Sequence, residues 1–346
     1  MNHFLLPAES RQTVLIVDDS VENLQILSAL LKDDYRIKAA KSGSKAIELI
    51  TTDQEIDLVL LDIMMPDLDG YQVCEFLKKN PVTSKIPVIF LTALNESSDE
   101  TRGFSVGGAD FITKPFNADV VKARVKTHLE LRAERKVTDR LLKVMLPENV
   151  IEQLISKGTY TPEIHPNTSI LFCDLDGFTQ ISSRLSPEEL VKELTDIFTN
   201  FDVIAEANHA MRIKTIGDAY MAVTGIDSFD DPAIHARELV TTGMQFIKFL
   251  SDRNTTAPVQ WKCKVGVHSG SIISGIIGRS RFQFDVMGDN VNIAARVERN
   301  CSAMAVTVTE QTLKYLDQSL YNINPKGDVY LKGKGEMPLF ELTLRS

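Results

Sequence analysis

Cysteine is scarce in this chain, and what there is does not pair by spacing. Cys74, Cys173, Cys263 and Cys301 form no CxxC and no metal-ligand pattern, which excludes a disulfide framework and a cysteine-bound metal. Cys173 and Cys263 lie in apolar runs, so reduced, buried thiols and a cytoplasmic location are expected. No stretch approaches the roughly 18–20 apolar residues that cross a membrane, and the N-terminus lacks a basic-then-apolar signal pattern. Positive charge is in deficit too, with a formal net charge of −9. Duplex affinity rests largely on Lys and Arg neutralising phosphates, so a general nucleic-acid binder is excluded. Nucleotides held by a few local cations and metal ions are not. What remains is a globular composition, 43% hydrophobic and 25% charged over 346 residues, long enough for two domains with separate cores.

In the first half, short apolar runs alternate with amphipathic stretches. TVLIV (13–17), DLVLLDI (57–63), PVIFLTA (87–93) and ADFITKP (109–115) read as buried parallel strands, and RIKAA (36–40) as a weaker one. Residues 20–33, 42–52 and 70–80 carry apolar residues at helical spacing, with Ser20 and Ser42 as N-caps. This alternation predicts a doubly wound, five-stranded parallel α/β sheet, with its ligand at the carboxyl ends of the strands. Polar residues stand at those ends: Asp18 and Asp19, then Asp62, Thr92 and Lys114. Each alone is an ordinary turn residue; their agreement is the signal. Three converging carboxylates repel, and a divalent cation resolves the repulsion. An Asp beside Mg²⁺, with Lys and Thr nearby, is arranged to accept a phosphoryl group and hold it.

The segments VDDS, LLDIMMPDLDG, FLTA and TKPF, within residues 11–127, resemble the receiver domain of bacterial two-component response regulators. The resemblance implies a flavodoxin-like fold with Asp62 as phosphoacceptor and Asp18, Asp19 and Asp62 around Mg²⁺. Thr92 would sense the phosphoryl group, Lys114 pair with it, and Phe111 serve as the aromatic switch. A cis peptide is usual before the residue matching Pro115, and a cognate histidine kinase would be the phosphodonor.

Residues 118–146 contain no Pro or Gly and are rich in charge. Val121, Val125, Leu131, Leu142 and Met145 could form a seam, interrupted at Arg135 and Thr138, so a short coiled coil and a single solvated helix both stay open. Pro147 should end this helix, with a second, shorter one running to Gly158. Residues 128–164 are thus expected as a helical connector, and LLKVMLPENVIEQL is similar to the transducing segment that precedes many class III nucleotide cyclases.

Beyond residue 165 the pattern becomes mixed. SILFCDLDGF reads as a strand, residues 186–208 as a capped helix, and MRIKTIGDAYMAVTG as a hairpin turning at Gly217-Asp218. A long helix (231–252) and the strand CKVGVHSG follow. Asp174 at a strand end and Asp218 on a tight turn could together hold a pair of divalent cations on a triphosphate. Either acid alone would prove little, because Asp and Gly often end strands for turn chemistry.

ILFCDLDGFT, RIKTIGDAYMAV, VGVHSGSIISGIIG, FDVMGDNVNIAARVE and LKGKG resemble the class III adenylyl and guanylyl cyclase catalytic domain across residues 165–346. That implies an α+β domain with a ferredoxin-like core and two Mg²⁺ or Mn²⁺ ions at Asp174 and Asp218. Asn292 falls on the ribose-orienting asparagine, Arg296 on the transition-state arginine, and Lys332, with Lys334 close by, on the lysine of the terminal phosphates. Asp176 stands where smaller residues are usual and reads as peripheral. Lys214 is a pure donor and ionised Asp285 a pure acceptor, a pair that suits the N1 and exocyclic amine of adenine and mismatches guanine. In the resembling family these positions select the base, so ATP is the expected substrate, with 3′,5′-cyclic AMP and pyrophosphate as products. A homodimer with shared sites is expected. Guanylate cyclase and a catalytically silent nucleotide-sensing relay are the alternatives. No GGDEF-like loop supports a diguanylate cyclase, and no recognition helix supports a DNA-binding output.

Overall fold

Runs of Val, Ile and Leu set the two cores, and the helices between them cover the faces they leave. The computed structural model describes residues 11–52, 55–93, 97–226, 231–278, 282–331 and 334–345. The chain divides into two units, Met1–Met145 and Leu146–Ser346.

The first unit runs β1 (Thr13–Val17), α1 (Val21–Leu31), β2 (Arg36–Ala40), α2 (Gly43–Thr52), β3 (Ile56–Asp62), α3 (Gly70–Lys79), β4 (Val88–Thr92), α4 (Ser97–Ser105), β5 (Asp110–Thr113) and α5 (Ala118–Met145). All strand pairs are parallel, in the order β2-β1-β3-β4-β5. This is the doubly wound, flavodoxin-like sheet expected from the sequence. Strands β1 and β4 are buried along their whole length, as strands covered by helices on both faces must be. Helix α4, SSDETRGFS, has too few apolar residues for periodicity to reveal it.

Helix α5 is unbroken over 28 residues. Val121, Val125 and Leu129 recur every fourth position and are buried in the receiver-side core with Leu27 and Ile112. Val121 and Val125 are therefore spent on the first unit's own core rather than on a coiled-coil seam, while Leu131 and Met145 stay exposed. Ion pairs tie α5 to this unit as far as Asp139, which meets Lys85 at 2.5 Å.

The second unit runs α6 (Glu148–Lys157), β6 (Glu163–Asp176), α7 (Phe178–Ser182), α8 (Pro187–Ala207), β7 (Met211–Ile216), β8 (Ala219–Thr224), α9 (Pro232–Arg253), β9 (Lys262–Ile277), β10 (Gln283–Met287), α10 (Asp289–Arg299), β11 (Val306–Thr309), α11 (Glu310–Leu313), β12 (Tyr321–Leu331) and β13 (Gly335–Leu344). Ser186 and Glu189 form a capping box at the start of α8. The sheet order is β12-β13-β11-β9-β6-β8-β7, with β10 paired to β9. Its β6-α8-β7-β8-α9-β9 portion is the ferredoxin-like arrangement, and only β9–β11 is parallel among the described pairs.

Alternation along β6 sorts the two faces. Leu171, Cys173 and Leu175 face the core under α8 and α9. Ile170 and Phe172 face the other side, where Ala294 of α10 packs. Asp174 shares the parity of Ile170 and Phe172, so the sequence places it at the α10 face, where the apolar strand runs out.

Candidate functional site

In the first unit, four of the five strand-end residues, Asp18, Asp19, Asp62 and Lys114, come together, and Thr92 ends the neighbouring strand β4. Asp18 is fully buried, and Asp62 and Thr92 nearly so. Nζ of Lys114 lies 2.9 Å from Oδ2 of both Asp18 and Asp62. Asn23 donates to both oxygens of Asp18 at 3.0 Å. Carboxylate oxygens of Asp18, Asp19 and Asp62 lie within 4.8 Å of one another. Burial, then the Asp18 charge, raise the pKa of Asp62, against the hydrogen bond from Lys114. One ammonium balances three acids, and a hard divalent cation with oxygen ligands fits the deficit. The Lys114–Pro115 peptide is cis. Phe111 is buried, 5.5 Å from Phe90 in a stacked pair and 5.0 Å from Phe104 edge-on.

In the second unit, strand register builds the acid pair. β6 and β8 run antiparallel with Asp174 opposite Ala219, so Asp218, one residue earlier on the hairpin turn, meets Asp174. Gly217 makes that turn possible, with φ of 65° that disfavours any side chain. The two carboxyls are within hydrogen-bonding reach, and burial together with the Asp218 charge raises Asp174 to about 6. Two aspartates on their own are an incomplete ligand set for two cations; the phosphates of a bound nucleotide would complete it.

A bulge in β7 between Arg212 and Lys214 sets the Lys214 register, and bulges re-aim side chains. Its Nζ meets Oδ2 of Asp285, on β10, at 2.5 Å, both largely buried. The other Asp285 oxygen accepts from the backbone N–H of Val286. Asn292 and Arg296 lie one turn apart on α10, on the same stripe. Asn292 is exposed and Arg296 half-buried. Lys334 pairs with Asp289 at the start of α10, and Lys332 lies outside the described residues. The structure therefore assembles three groups: the aspartate pair, the Lys214–Asp285 pair and the α10 stripe. Among the described residues no hydrogen bond or ion pair joins one group to another within the chain.

Three side chains that sequence reasoning left aside also gather at the aspartates. Lys264 of β9 bonds Asp176 at 2.5 Å. Glu298 of α10 is raised to about 7, by burial first and then by the Asp174 charge. The alternation in CKVGV and the doubled acid in CDLD were the available signals, but only the strand register joins them.

The sequence profile of the adenylate and guanylate cyclase catalytic domain matches residues 160–343, more than half of the chain. The chain belongs to this family. The response regulator receiver domain profile matches residues 14–126 of the same chain, so a receiver and a cyclase domain stand in tandem. Over 217 residues, 62% of its length, the chain is 32% identical to guanylate cyclase 2G of Rattus norvegicus. Over 226 residues, 64% of the chain, it is 33% identical to atrial natriuretic peptide receptor 2 of Homo sapiens. It spans only 20% and 21% of their lengths. Among solved structures, the guanylate cyclase domain of RhGC from Catenaria anguillulae, in complex with GTP, is 27% identical with a TM-score of 0.50, covering 53% of this chain and 100% of that one. A bacterial light-regulated adenylyl cyclase is 21% identical with a TM-score of 0.55, covering 69% of this chain and 70% of that one, and bears on the fold alone. No described helix of the chain is long and apolar enough to cross a membrane.

Proposed function

We propose that the protein is an adenylate cyclase, converting ATP to 3′,5′-cyclic AMP and pyrophosphate under control of its receiver. The observation that carries the choice of ATP is the Lys214–Asp285 pair. An ammonium has three donors, so Lys214 can keep Asp285 and still donate to N1 of adenine, while Asp285 accepts from the exocyclic amine. Guanine offers a donor at N1 and an acceptor at O6, and leaves both contacts mismatched in a partly buried site.

Asp174 and Asp218 would hold two divalent cations, Mg²⁺ or Mn²⁺, which when bound lower the pKa of the ribose 3′-hydroxyl and offset phosphate charge. Asn292 orients the ribose so that its 3′-oxygen lies in line with the α-phosphorus. As that oxygen gives its proton to the substrate or solvent and bonds to phosphorus, and the pyrophosphate oxygen leaves, Arg296 donates to the charge that builds on the phosphate. Lys332, or Lys334 beside it, meets the terminal phosphates. The reaction needs all three groups around one nucleotide, and no described hydrogen bond or ion pair joins them within the chain. Two copies would unite them in two shared sites, a reading favoured by the exposed apolar Ile273, Ile277 and Met287 of the β9–β10 hairpin.

In the receiver, Asp62 would take a phosphoryl group from a histidine kinase beside Mg²⁺ held with Asp18 and Asp19, and Lys114 and Thr92 would hold it. Phe111 would respond to it.

The test is cyclic nucleotide formed by the purified chain from ATP or GTP, with and without an acyl-phosphate donor. Cyclic AMP should dominate, and the donor should change its rate in the wild type but not in Asp62→Asn. Lys214→Glu should lower ATP turnover at least about a hundredfold. A preference for GTP would identify a guanylate cyclase, and no product from either a silent relay.

A further inference from the structure

The doubled acid of residues 174–176 leaves Asp176 unused by the chemistry above, and its partner suggests why it is there. In the β6–β9 register Lys264 lies directly opposite Asp174, and Lys262 opposite Asp176. Asp174, Asp176 and Lys264 point to one face, the α10 face. An ammonium opposite a lone carboxylate is expected to pair with it. Here Nζ of Lys264 instead reaches diagonally to Oδ1 of Asp176, at 2.5 Å, and Asp174 is left to Asp218. On α10, Glu298 brings a fourth carboxylate to this face.

We propose that Asp176 is a positioning residue that holds Lys264 off Asp174, and so keeps Asp174 open to a divalent cation. This rests on the reading of Asp174 as a metal ligand. An ammonium and a metal ion compete for the same carboxylate oxygens. Without the Asp176 charge, Lys264 has Asp174 directly across the strand pair and takes the cation's place there. Without Lys264, the acids lose the counter-charge among them and hold a metal ion more tightly. The two substitutions therefore act in opposite directions, and with Lys264 gone the loss of Asp176 should matter little. A merely structural pair would weaken the fold in both variants and oppose nothing.

The test is binding of Mn²⁺ alone, read from the electron paramagnetic resonance of free Mn²⁺. It uses the full chain carrying Asp19→Asn and Asp62→Asn, which silence the receiver acids. Asp176→Asn should weaken binding about tenfold, and Lys264→Met should tighten it by a similar factor, the scale of one charge at short range near a protein surface. The double variant should bind about as tightly as Lys264→Met alone, well above the simple product of the two single effects, as coupled sites do. The Mg²⁺ concentration that half-saturates nucleotide cyclisation should follow the same order. Unchanged binding in Asp176→Asn, or a double variant at or below the simple product of the two single effects, overturns the proposal. Asp174→Ala separates the two levels. If it abolishes Mn²⁺ binding while Asp176→Asn has no effect, the positioning role alone fails; if it leaves binding intact, the metal assignment fails and takes the positioning role with it.

Discussion

Asp174 sits where a carboxylate is least comfortable, at a strand end, partly buried, against a second carboxylate. Its pKa of about 6 records that discomfort. The folded-state value lies above the ordinary one of an unfolded aspartate, so folding favours the protonated form. The stability this gives is present at low pH and is lost as pH rises from about 4 through about 6. At neutral pH the metal-free site therefore works against the fold. Asp174→Ala should abolish cyclase activity and yet raise the melting temperature of metal-free protein at pH 8, a gain that should shrink to nothing at pH 4. Thermal scans at the two pH values check this. A large loss of stability at pH 8 would mean that Asp174 supports the core rather than the chemistry.

At the scale of elements, the decisive contact is α10 against β9. Gly266 has no side chain, and a Cβ there would stand 2.3 Å from the backbone nitrogen of Glu298. Real atoms do not approach so closely, so any side chain at 266 pushes α10, and with it Asn292 and Arg296, off the sheet. Gly266→Ala should cost about 1–3 kcal/mol in denaturant titration, the usual range for overpacking, and lower kcat far more than that loss explains at temperatures where the protein stays folded. The sequence made most of these elements legible, because alternation in ILFCD and the fourfold spacing of Val121 and Val125 follow directly from burial. It could not say what the helical spacing was for: Val121 and Val125 fit a coiled-coil seam as well as the receiver core they enter. Helix α4 escaped because polar residues dominate it. The Lys214–Asp285 pair was legible only through resemblance to a family, since 71 positions separate its members. The Asp176–Lys264 bond was not legible at all. It depends on which residue of β9 faces which residue of β6, and register is settled by the whole sheet.

At the scale of the molecule, one chain carries all three chemical groups, and among the described residues no hydrogen bond or ion pair joins them. If two chains share their sites, a mixture of inactive variants should recover activity. Asp174→Ala and Arg296→Ala chains, refolded together, would form heterodimers with one intact site and one doubly damaged. Random pairing makes half of the dimers mixed, each with one of two sites, so about a quarter of wild-type activity should return. Cyclic AMP assays of the mixture measure it. Silence despite proven heterodimers would place a whole site within each chain.

All four native thiols are buried, and burial lifts Cys74 to about 11 and Cys301 to about 12, with Cys173 raised as well. A thiol reacts as its thiolate, so the folded protein is nearly blank to maleimides and to spin-label reagents. A cysteine introduced at Met145, which is 70% exposed at the end of α5, would carry a probe alone, with every native cysteine left in place. Any motion of α5 can thus be followed spectroscopically in an otherwise unaltered core.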